Sequence, residues 1–206
     1  MNATRTAESL RDRQARLTRE LILRAVADAL QTEPVAEVSI PAVADAAGVS
    51  LRTVYRYFPT RDELLTAAAD WINETFLDGD PYVDDLAELA TGYRRGCERF
   101  AEHPGLVGAM AFTGAGRSVR SKRRAKRIAN LRRAIDRAVP NLPAVERSRG
   151  LAALATLYSM ESWLMMREDC GLSDAQATAA GAEGLESLID DLRRRDRAAA
   201  RAKEGR

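Results

Sequence analysis

The sequence predicts an all-α protein of about nine helices, with three short helices near the N-terminus and a larger helical domain after them. Apolar residues recur at spacings of three and four along the 206-residue chain, which is the period of amphipathic helices. Helix-capping residues and Gly or Pro stops separate these periodic segments. The chain therefore reads as a series of helices joined by short connections.

Composition excludes several classes of protein. With 46% hydrophobic and 30% charged residues the chain has an ordinary globular composition, and its net charge of +2 gives no general basic signal. It has neither a run of about 20 apolar residues nor a signal-peptide core, so we expect a cytoplasmic protein without a membrane partner. Cys97 and Cys170 are far apart, which favours two reduced thiols over a metal site or a disulfide framework.

The N-terminal residues 1–15 show no apolar period and carry Arg5, Arg11 and Arg13. We expect a flexible basic arm there, which either contacts DNA or is a solvated tail. A helix over 17–31 follows. Its apolar stripe is predicted to brace the next two helices and comprises Leu17, Leu21, Ile22, Ala25, Val26, Ala29 and Leu30.

Residues 39–58 predict two short helices across a tight turn. Ser39 is a good N-cap for the first, and Gly48 supplies the positive φ that ends it. Ser50 then caps a helix of about 51–57, whose Val54 and Phe58 point into a core. After Pro59, the capping box Thr60-Arg61-Asp62-Glu63 opens a further helix over 61–77. This layout is that of a helix-turn-helix.

The motif residues carry a family resemblance. They are Ala44, Ala47-Gly48-Val49-Ser50, Thr53-Val54-Tyr55-Arg56-Tyr57-Phe58, Arg61 and Leu64-Leu65. With the helix at 17–31 they resemble the N-terminal domain of TetR-family transcriptional regulators. The resemblance implies a DNA-binding domain over 16–76, a helical regulatory and dimerisation domain over 77–196 and a tail over 197–206. It also implies a homodimer on a double-stranded DNA operator and a small-molecule effector.

The start of the second motif helix is where side chains reach base edges. This places Ser50, Leu51, Arg52 and Thr53 at the bases, with Arg52 suited to guanine and Leu51 to a thymine methyl group. The resemblance adds phosphate contacts from Ser39, Tyr55, Arg56, Tyr57 and Arg61. Tyr55 has the alternative of packing on the helix at 17–31. Pro41-Ala42 departs from the family pattern, so a base contact from the first motif helix is doubtful.

The rest of the chain predicts further helices. An apolar stripe runs from Val83 to Phe100, and an apolar segment follows over 106–112. Residues 117–137 hold ten basic side chains and one acid, which indicates either an anion-binding helix or a solvated face paired with the acidic region 80–88. Long helices are predicted over 144–169 and from Ser173-Asp174 onward. These two, the eighth and ninth helices, are either the dimer surface that the resemblance favours or simple intrachain packing.

An effector pocket is expected from the resemblance among the C-terminal helices, for a largely hydrophobic ligand. Its candidate lining residues are Trp71, Tyr93, Cys97, Phe100, Met110, Phe112, Tyr158, Glu161 and Trp163. Each of them is alternatively ordinary core. For Glu161 the alternative is a buried acid that an arginine satisfies.

Catalysis is not expected. The chain has one histidine, His103, and lacks the nucleophile-elbow, zinc-protease, phosphate-loop and dinucleotide-binding motifs, so we predict no enzyme and no cofactor. The resemblance implies a repressor that a ligand releases from an inverted-repeat operator. Two alternatives stay open: a helical ligand-binding or scaffold protein that no longer reads DNA, and a small enzyme or RNA binder that uses the basic helix.

Overall fold

The computed structural model describes residues 9–77, 83 and 85–204, without the side chains of residues 77, 112, 118–120, 122 and 123. Within these residues the chain is helical and contains no strand, so the all-α prediction is confirmed. The helices are α1 (Leu10–Thr32), α2 (Ile40–Ala46), α3 (Leu51–Tyr57), α4 (Arg61–Ile72), α5 (Leu89–Glu102), α6 (Pro104–Phe112), α7 (Gly114–Ala138), α8 (Ala144–Leu157), α9 (Met160–Glu168) and α10 (Asp174–Glu204).

One continuous apolar core runs through the molecule. Helix α1 packs against α2, α4 and α6, so the N-terminal helices are attached directly to the larger domain. Helix α4 also packs on α7, and α10 packs on α5, α8 and α9. The two motif helices α2 and α3 are thus supported through α1, which also contacts α6.

Helix α1 begins earlier than the sequence predicts. The hydroxyl of Ser9 accepts a hydrogen bond from the amide of Asp12 at 3.1 Å and donates one to its carboxylate at 2.6 Å. The structure therefore differs from the predicted arm over residues 10–15, and residues 1–8 lie outside the described range. Leu17 and Leu21 also differ from prediction because both are about half exposed. The buried face of α1 comprises Ile22, Leu23, Ala25, Val26, Ala27 and Leu30.

The stripe predicted from Val83 to Phe100 is only partly an α-helix. Helix α5 begins at Leu89, and a 3-10 turn over Leu86–Glu88 precedes it. Val83 and Leu86 are nevertheless buried, as the spacing predicts. Similarly, α4 stops at Ile72 and continues as a π-helical turn over Asn73–Leu77. The apolar pattern therefore identified the buried residues but not the change in helix type.

The single helix predicted over 144–169 is wrong. Helix α8 ends at Leu157, and α9 begins at Met160. Ser159 makes the break because its hydroxyl donates to the carbonyl of Thr156 at 2.6 Å and accepts from the amide of Ser162 at 3.1 Å. The serine thereby ends one helix and caps the next. The apolar period continues across the break, which explains why periodicity missed it.

The C-terminal tail predicted over 197–206 differs from the structure, since α10 continues to Glu204. The buried carboxylate of Asp196 anchors this last part of the helix. It accepts hydrogen bonds from the amide of Asn141 at 2.6 Å and from the amide of Leu142 at 3.1 Å. One aspartate thus satisfies the turn between α7 and α8 and ties α10 to it.

Asp196→Asn is expected to destabilise the fold. The variant keeps the volume but weakens two bonds to buried amides, and such losses cost about 1–3 kcal/mol. Urea unfolding should therefore show a free energy of unfolding lower by about 2 kcal/mol. Asp190→Asn on an exposed turn of the same helix is the control, with a change within about 0.5 kcal/mol. Equal stability of the two variants would contradict the anchoring role.

Candidate nucleic-acid interface

The turn between α2 and α3 is closed by backbone hydrogen bonds. Gly48 has a φ of 66°, the left-handed conformation that its missing Cβ permits. Its amide donates to the carbonyl of Asp45 at 3.1 Å, and the amide of Val49 donates to that of Ala44 at 3.0 Å. This pair of bonds is a Schellman motif, which ends α2 and turns the chain sharply. The predicted glycine stop is confirmed.

Helix α3 has one buried face and one exposed face. Val54 is fully buried and Phe58 is 4% exposed, so these two side chains attach the helix to the core. Leu51 and Tyr55 are 42% and 45% exposed, and Arg52 is exposed beside them. An exposed leucine next to an exposed arginine at the start of a short helix offers both an apolar contact and a guanidinium to a partner.

The first turn of α3 is fixed by its cap. The hydroxyl of Ser50 accepts from the amide of Thr53 at 3.1 Å, and the two hydroxyls lie 2.8 Å apart. These polar groups satisfy one another in the free protein. Arg52 lies between them in sequence and points to solvent, so the N-terminal end of α3 combines an ordered backbone with an available guanidinium.

The other end of α3 carries cation–π contacts. The guanidinium of Arg56 lies 5.2 Å from the ring centroid of the half-buried Tyr57. The guanidinium of Arg19, on α1, lies 5.5 Å from the ring of Phe58. Such contacts orient arginines beside aromatic rings. Arg19 is an exposed basic residue that the sequence alone does not single out. Only its position beside Phe58, at the end of α3, identifies it.

Tyr55 is partly exposed. The 45% of its surface that solvent reaches leaves room for the contact predicted from the sequence, and the rest is covered. Ser39 caps α2 by accepting from the amide of Ala42 at 3.3 Å, and it is exposed at that helix end. Pro41 and Ala42 are also exposed on α2. Because neither offers a polar side chain, this helix end presents no side-chain donor for a base at those two positions.

Arg61 occupies a different environment from the other predicted DNA-contacting residues. Its partly buried guanidinium donates to the carbonyl of Val35 at 2.5 Å and is 3.4 Å from the carbonyl of Val38. These carbonyls belong to the segment between α1 and α2. Arg61 therefore holds this segment against the start of α4. Next to it, Thr60 caps α4 by accepting from the amide of Glu63 at 3.2 Å, and it donates to the Glu63 carboxylate.

The basic segment predicted over 117–137 lies on α7. Its apolar side is buried at Leu131 and Ile135. Arg124 forms an ion pair with Glu161 of α9 at 3.1 Å, so the acid is satisfied by an arginine, although it is partly exposed and not buried. Farther along, Asp136 pairs with Arg147 of α8 at 3.1 Å. Part of the basic face therefore joins neighbouring helices.

The aromatic residues predicted to line an effector pocket form separate contacts. The rings of Tyr93 and Tyr158 are 6.2 Å apart, and those of Phe100 and Trp163 are 5.7 Å apart. Trp71 instead stacks edge-on with Phe76 in the π-helical turn. The Tyr and Phe–Trp pairs lie among α5, α8, α9 and α10, whereas Trp71 belongs to the junction near α4.

Two further candidates lie elsewhere. Met110 is buried and lines a cavity of about 20 Å³ with residues of α1, α4 and α7. This volume holds about one water molecule. The side chain of Phe112 lies outside the described residues. The predicted set is therefore not a single cluster in this structure.

Tyr93 and Cys97 are neighbouring polar residues in the core. Burial raises the pKa of the Cys97 thiol to about 11, and burial together with this thiol raises the pKa of the Tyr93 hydroxyl well above its ordinary value. Tyr93 is 4% exposed, and its hydroxyl has no hydrogen-bond partner of ordinary geometry among the described residues. Both groups are therefore neutral near pH 7.

Metal sites and membrane-spanning helices were also sought in the described part of the chain. No group of three or more His, Cys, Asp or Glu residues within it is arranged to hold a metal ion. None of the helices described there is long and apolar enough to cross a membrane.

A short helix with one buried and one exposed face after a tight glycine turn is typical of helix-turn-helix DNA-binding proteins. Residues 22–68 match the family model described as bacterial regulatory proteins, tetR family. The N-terminal helices thus match the DNA-binding domain of this family, and the overall fold is the one that solved TetR-family regulators have. The chain therefore has the fold of this class of regulator. Among curated protein sequences it has no significant match.

Solved structures share the fold at low sequence identity. A TetR-family regulator from Streptomyces coelicolor has a TM-score of 0.62 at 19% identity, covering 88% of this chain and 89% of that one. A TetR regulator from Haloarcula marismortui has a TM-score of 0.64 at 23% identity, covering 84% and 97%. NalD, the secondary repressor of the MexAB-OprM multidrug efflux pump in Pseudomonas aeruginosa, has a TM-score of 0.55 at 17% identity, covering 85% and 97%. The likeness extends over both halves of the chain.

Arg61→Ala is expected to lower stability without any DNA present. Removing the guanidinium leaves the carbonyls of Val35 and Val38 without their donor, at a cost of about 1–2 kcal/mol. Urea unfolding of the free protein measures this cost. Arg52→Ala is the matched control because its side chain is exposed, and it should change stability by less than about 0.5 kcal/mol. If Arg61→Ala were equally neutral, the residue would be free for the phosphate contact that the sequence predicts.

Proposed function

We propose that the chain is a homodimeric repressor that binds an inverted-repeat operator and is released by a small, largely hydrophobic effector. The observation that carries the DNA-binding part is the exposed start of α3, where Leu51 and Arg52 face solvent while Val54 and Phe58 fix the helix from behind. A helix held in this way enters a major groove as a rigid unit.

In this proposal Arg52 donates two hydrogen bonds to guanine, and Leu51 packs on a thymine methyl group. Ser50 and Thr53 lie beside them and exchange their mutual hydrogen bond for contacts with DNA. Ser39, Tyr55, Arg56 and Tyr57 contact phosphates and set the register of the helix. Arg61 contributes mainly by holding the segment before α2, and its phosphate contact is the least supported member of the set.

Two copies of α3 should read half-sites about 34–36 Å apart, since a dimer places its heads in successive major grooves. We propose that α8, α9 and α10 form the dimer surface. They correspond to the eighth and ninth helices of the sequence prediction, the eighth being divided into α8 and α9. Exposed small residues support this proposal because they allow close helix approach; they are Ala152, Ala153, Ala179 and Ala180. Gly181 takes no part, since a Cβ there would lie 2.4 Å from the Tyr93 hydroxyl, inside the subunit.

Arg52→Ala is expected to weaken specific DNA binding by about 1–3 kcal/mol, or roughly 5- to 150-fold. The measurement is fluorescence anisotropy on a site selected from random DNA, with scrambled DNA as the reference and several salt concentrations. The salt dependence should hardly change, since a base contact and not a phosphate contact is lost. Saturation should give two chains per inverted repeat.

Arg132→Ala, an exposed residue of the basic helix α7, is the control and should leave the affinity unchanged. Unchanged affinity in Arg52→Ala would instead favour the alternative, a helical ligand-binding or scaffold protein that no longer reads DNA. A loss confined to Arg132→Ala would favour nucleic-acid binding through α7.

For the effector, we propose the core around Tyr93, Cys97 and Tyr158, with Phe100 and Trp163 next to it. The buried Tyr93 hydroxyl supports this location because an unsatisfied polar group gains free energy from any ligand that offers an acceptor. The apolar surroundings favour a hydrophobic ligand with one such acceptor. Glu161 is the weakest candidate, since it pairs with Arg124. NalD offers an analogy as a repressor with this fold.

Tyr93→Phe is expected to raise the free energy of unfolding of the free protein by about 1 kcal/mol, because it removes a buried hydroxyl without a partner. Thermal and urea unfolding measure the change. Tyr158→Phe on the neighbouring ring should bring no such gain, since that residue has a partner in the fold. A destabilised Tyr93→Phe would show that the hydroxyl is satisfied, and the proposed effector location would lose its support.

A further inference from the structure

A second feature, separate from the Tyr93 core, lies between the DNA-binding helices and the C-terminal domain. The end of α1, the segment after it and one face of α6 enclose a cleft of about 480 Å³. We call it the α1–α6 cleft. Its lining residues are Leu30, Gln31, Thr32, Glu33, Pro34, Val35, Pro104, Gly105, Gly108, Ala109 and Thr113. Its volume falls within the range of small-molecule sites.

The two walls of the cleft meet at one end. A Cβ on Gly105 would lie 2.6 Å from the carbonyl oxygen of Leu30 and from the Cα of Gln31, so α6 touches the backbone of α1 there. The side-chain amide of Gln31 also lies 3.2 Å from the Nδ1 atom of His103, just before α6. The junction is therefore closed at Gly105 by direct contact.

Three residues farther along α6 the walls have separated. A Cβ on Gly108 would meet nothing within 4 Å, although Gly108 lines the cleft. Gly105 and Gly108 lie about one helical turn apart on the same face of α6. The cleft is thus a wedge that is closed at Gly105 and open at Gly108.

The chemistry of the lining is apolar with one charge. Leu30, Pro34, Val35, Pro104 and Ala109 supply the apolar surface. Glu33 is the one charged residue among the described residues that line the cleft, and its carboxylate forms no ion pair with the rest of the described chain.

The two helix ends at the junction do not change this charge. The last turn of α1 contains no basic residue. Its carbonyl end lies against the first turn of α6, where partial charges of opposite sign offset one another. Glu33 therefore supplies the charge among the lining side chains, while the nearby Arg61 guanidinium is bound to the carbonyls of Val35 and Val38.

We propose that the α1–α6 cleft is a binding site for a small apolar molecule that carries a protonated amine. The apolar part fills the wedge beside Gly108, and the ammonium group pairs with the Glu33 carboxylate. A bound molecule touches both α6 and the segment before α2. Since the carbonyl of Val35 accepts from Arg61, the ligand acts on a segment that is tied to the start of α4. The site is distinct from the effector core around Tyr93.

Direct binding to the full chain tests the proposal, with tryptamine and its neutral analogue tryptophol as probes. The two differ at the amine, so the pair isolates the contribution of charge. NMR titration of backbone amides should give shifts centred on residues 30–35 and 104–109. Tryptamine should bind about two- to fivefold more tightly than tryptophol, the gain expected of an exposed ion pair.

Two variants locate the site. Gly108→Leu places a side chain in the open end of the wedge, where a Cβ meets nothing within 4 Å, and should weaken tryptamine binding at least about tenfold. Gly96→Leu is its matched control, because Gly96 is also a helical glycine with nothing within 4 Å of a Cβ, but it lies on α5 outside the cleft lining. It should leave the affinity unchanged. Glu33→Gln should lower the affinity for tryptamine to that for tryptophol.

Several results would overturn the proposal: unchanged tryptamine affinity in Gly108→Leu, an equal loss in Gly96→Leu, or a charge preference that survives Glu33→Gln. If a glycine variant fails to fold, the amide shifts of the unaltered protein decide, and shifts centred outside the cleft reject the site. No DNA is present in this assay. Failure of the cleft site is therefore separate from failure of the proposed repressor function.

Discussion

The packing of α1 against three other helices is the constraint on which the rest of the structure depends. Ile22, Leu23 and Val26 are fully buried where α1 meets its neighbours, and Leu30 closes the contact near α6. Helix α1 contacts α2 on one side and α6 on the other. Because both contacts use the apolar face of α1, neither the motif helices nor the C-terminal helices can move far without disturbing that face. The orientation of α3 is therefore tied to the packing of α6.

Polar contacts at the loops complement this apolar packing. Arg61 satisfies carbonyls before α2, and Asp196 satisfies amides after α7. Each is a charged group that binds backbone atoms more than twenty residues away, where a buried unpaired group would be costly. The core decides which helices are adjacent. These two residues decide how the connections between them lie.

Much of the N-terminal half could be predicted because its signals are local. Ser39, Gly48, Ser50 and Thr60 each act within three residues of their own position, so the sequence alone identified the start of α2, the turn, α3 and the start of α4. The early start of α1 also had a local signal, the Ser9 and Asp12 pair. It was missed because no apolar period accompanies it.

The remaining features depend on contacts that a one-dimensional pattern does not contain. Ser159 breaks a helix in the middle of an unbroken apolar period. Arg61 is basic and follows the motif, yet its partners lie 26 and 23 residues before it. Whether an aromatic residue lines a pocket or packs in a core depends on which helix lies opposite, as the separation of Trp71 from Trp163 shows.

The contact at Gly105 has a consequence for protein engineering. Its missing side chain allows the backbones of α1 and α6 to touch, so their close approach depends on this residue position. A chimera that joins these N-terminal helices to another regulatory domain has, at the position of Gly105, the residue of that other domain. Where it is larger than glycine, the two halves separate at their shared boundary, and the DNA-reading head is carried in a different orientation. Domain exchange among such proteins therefore depends on choosing partners by this residue as well as by the sequence of the joining segment.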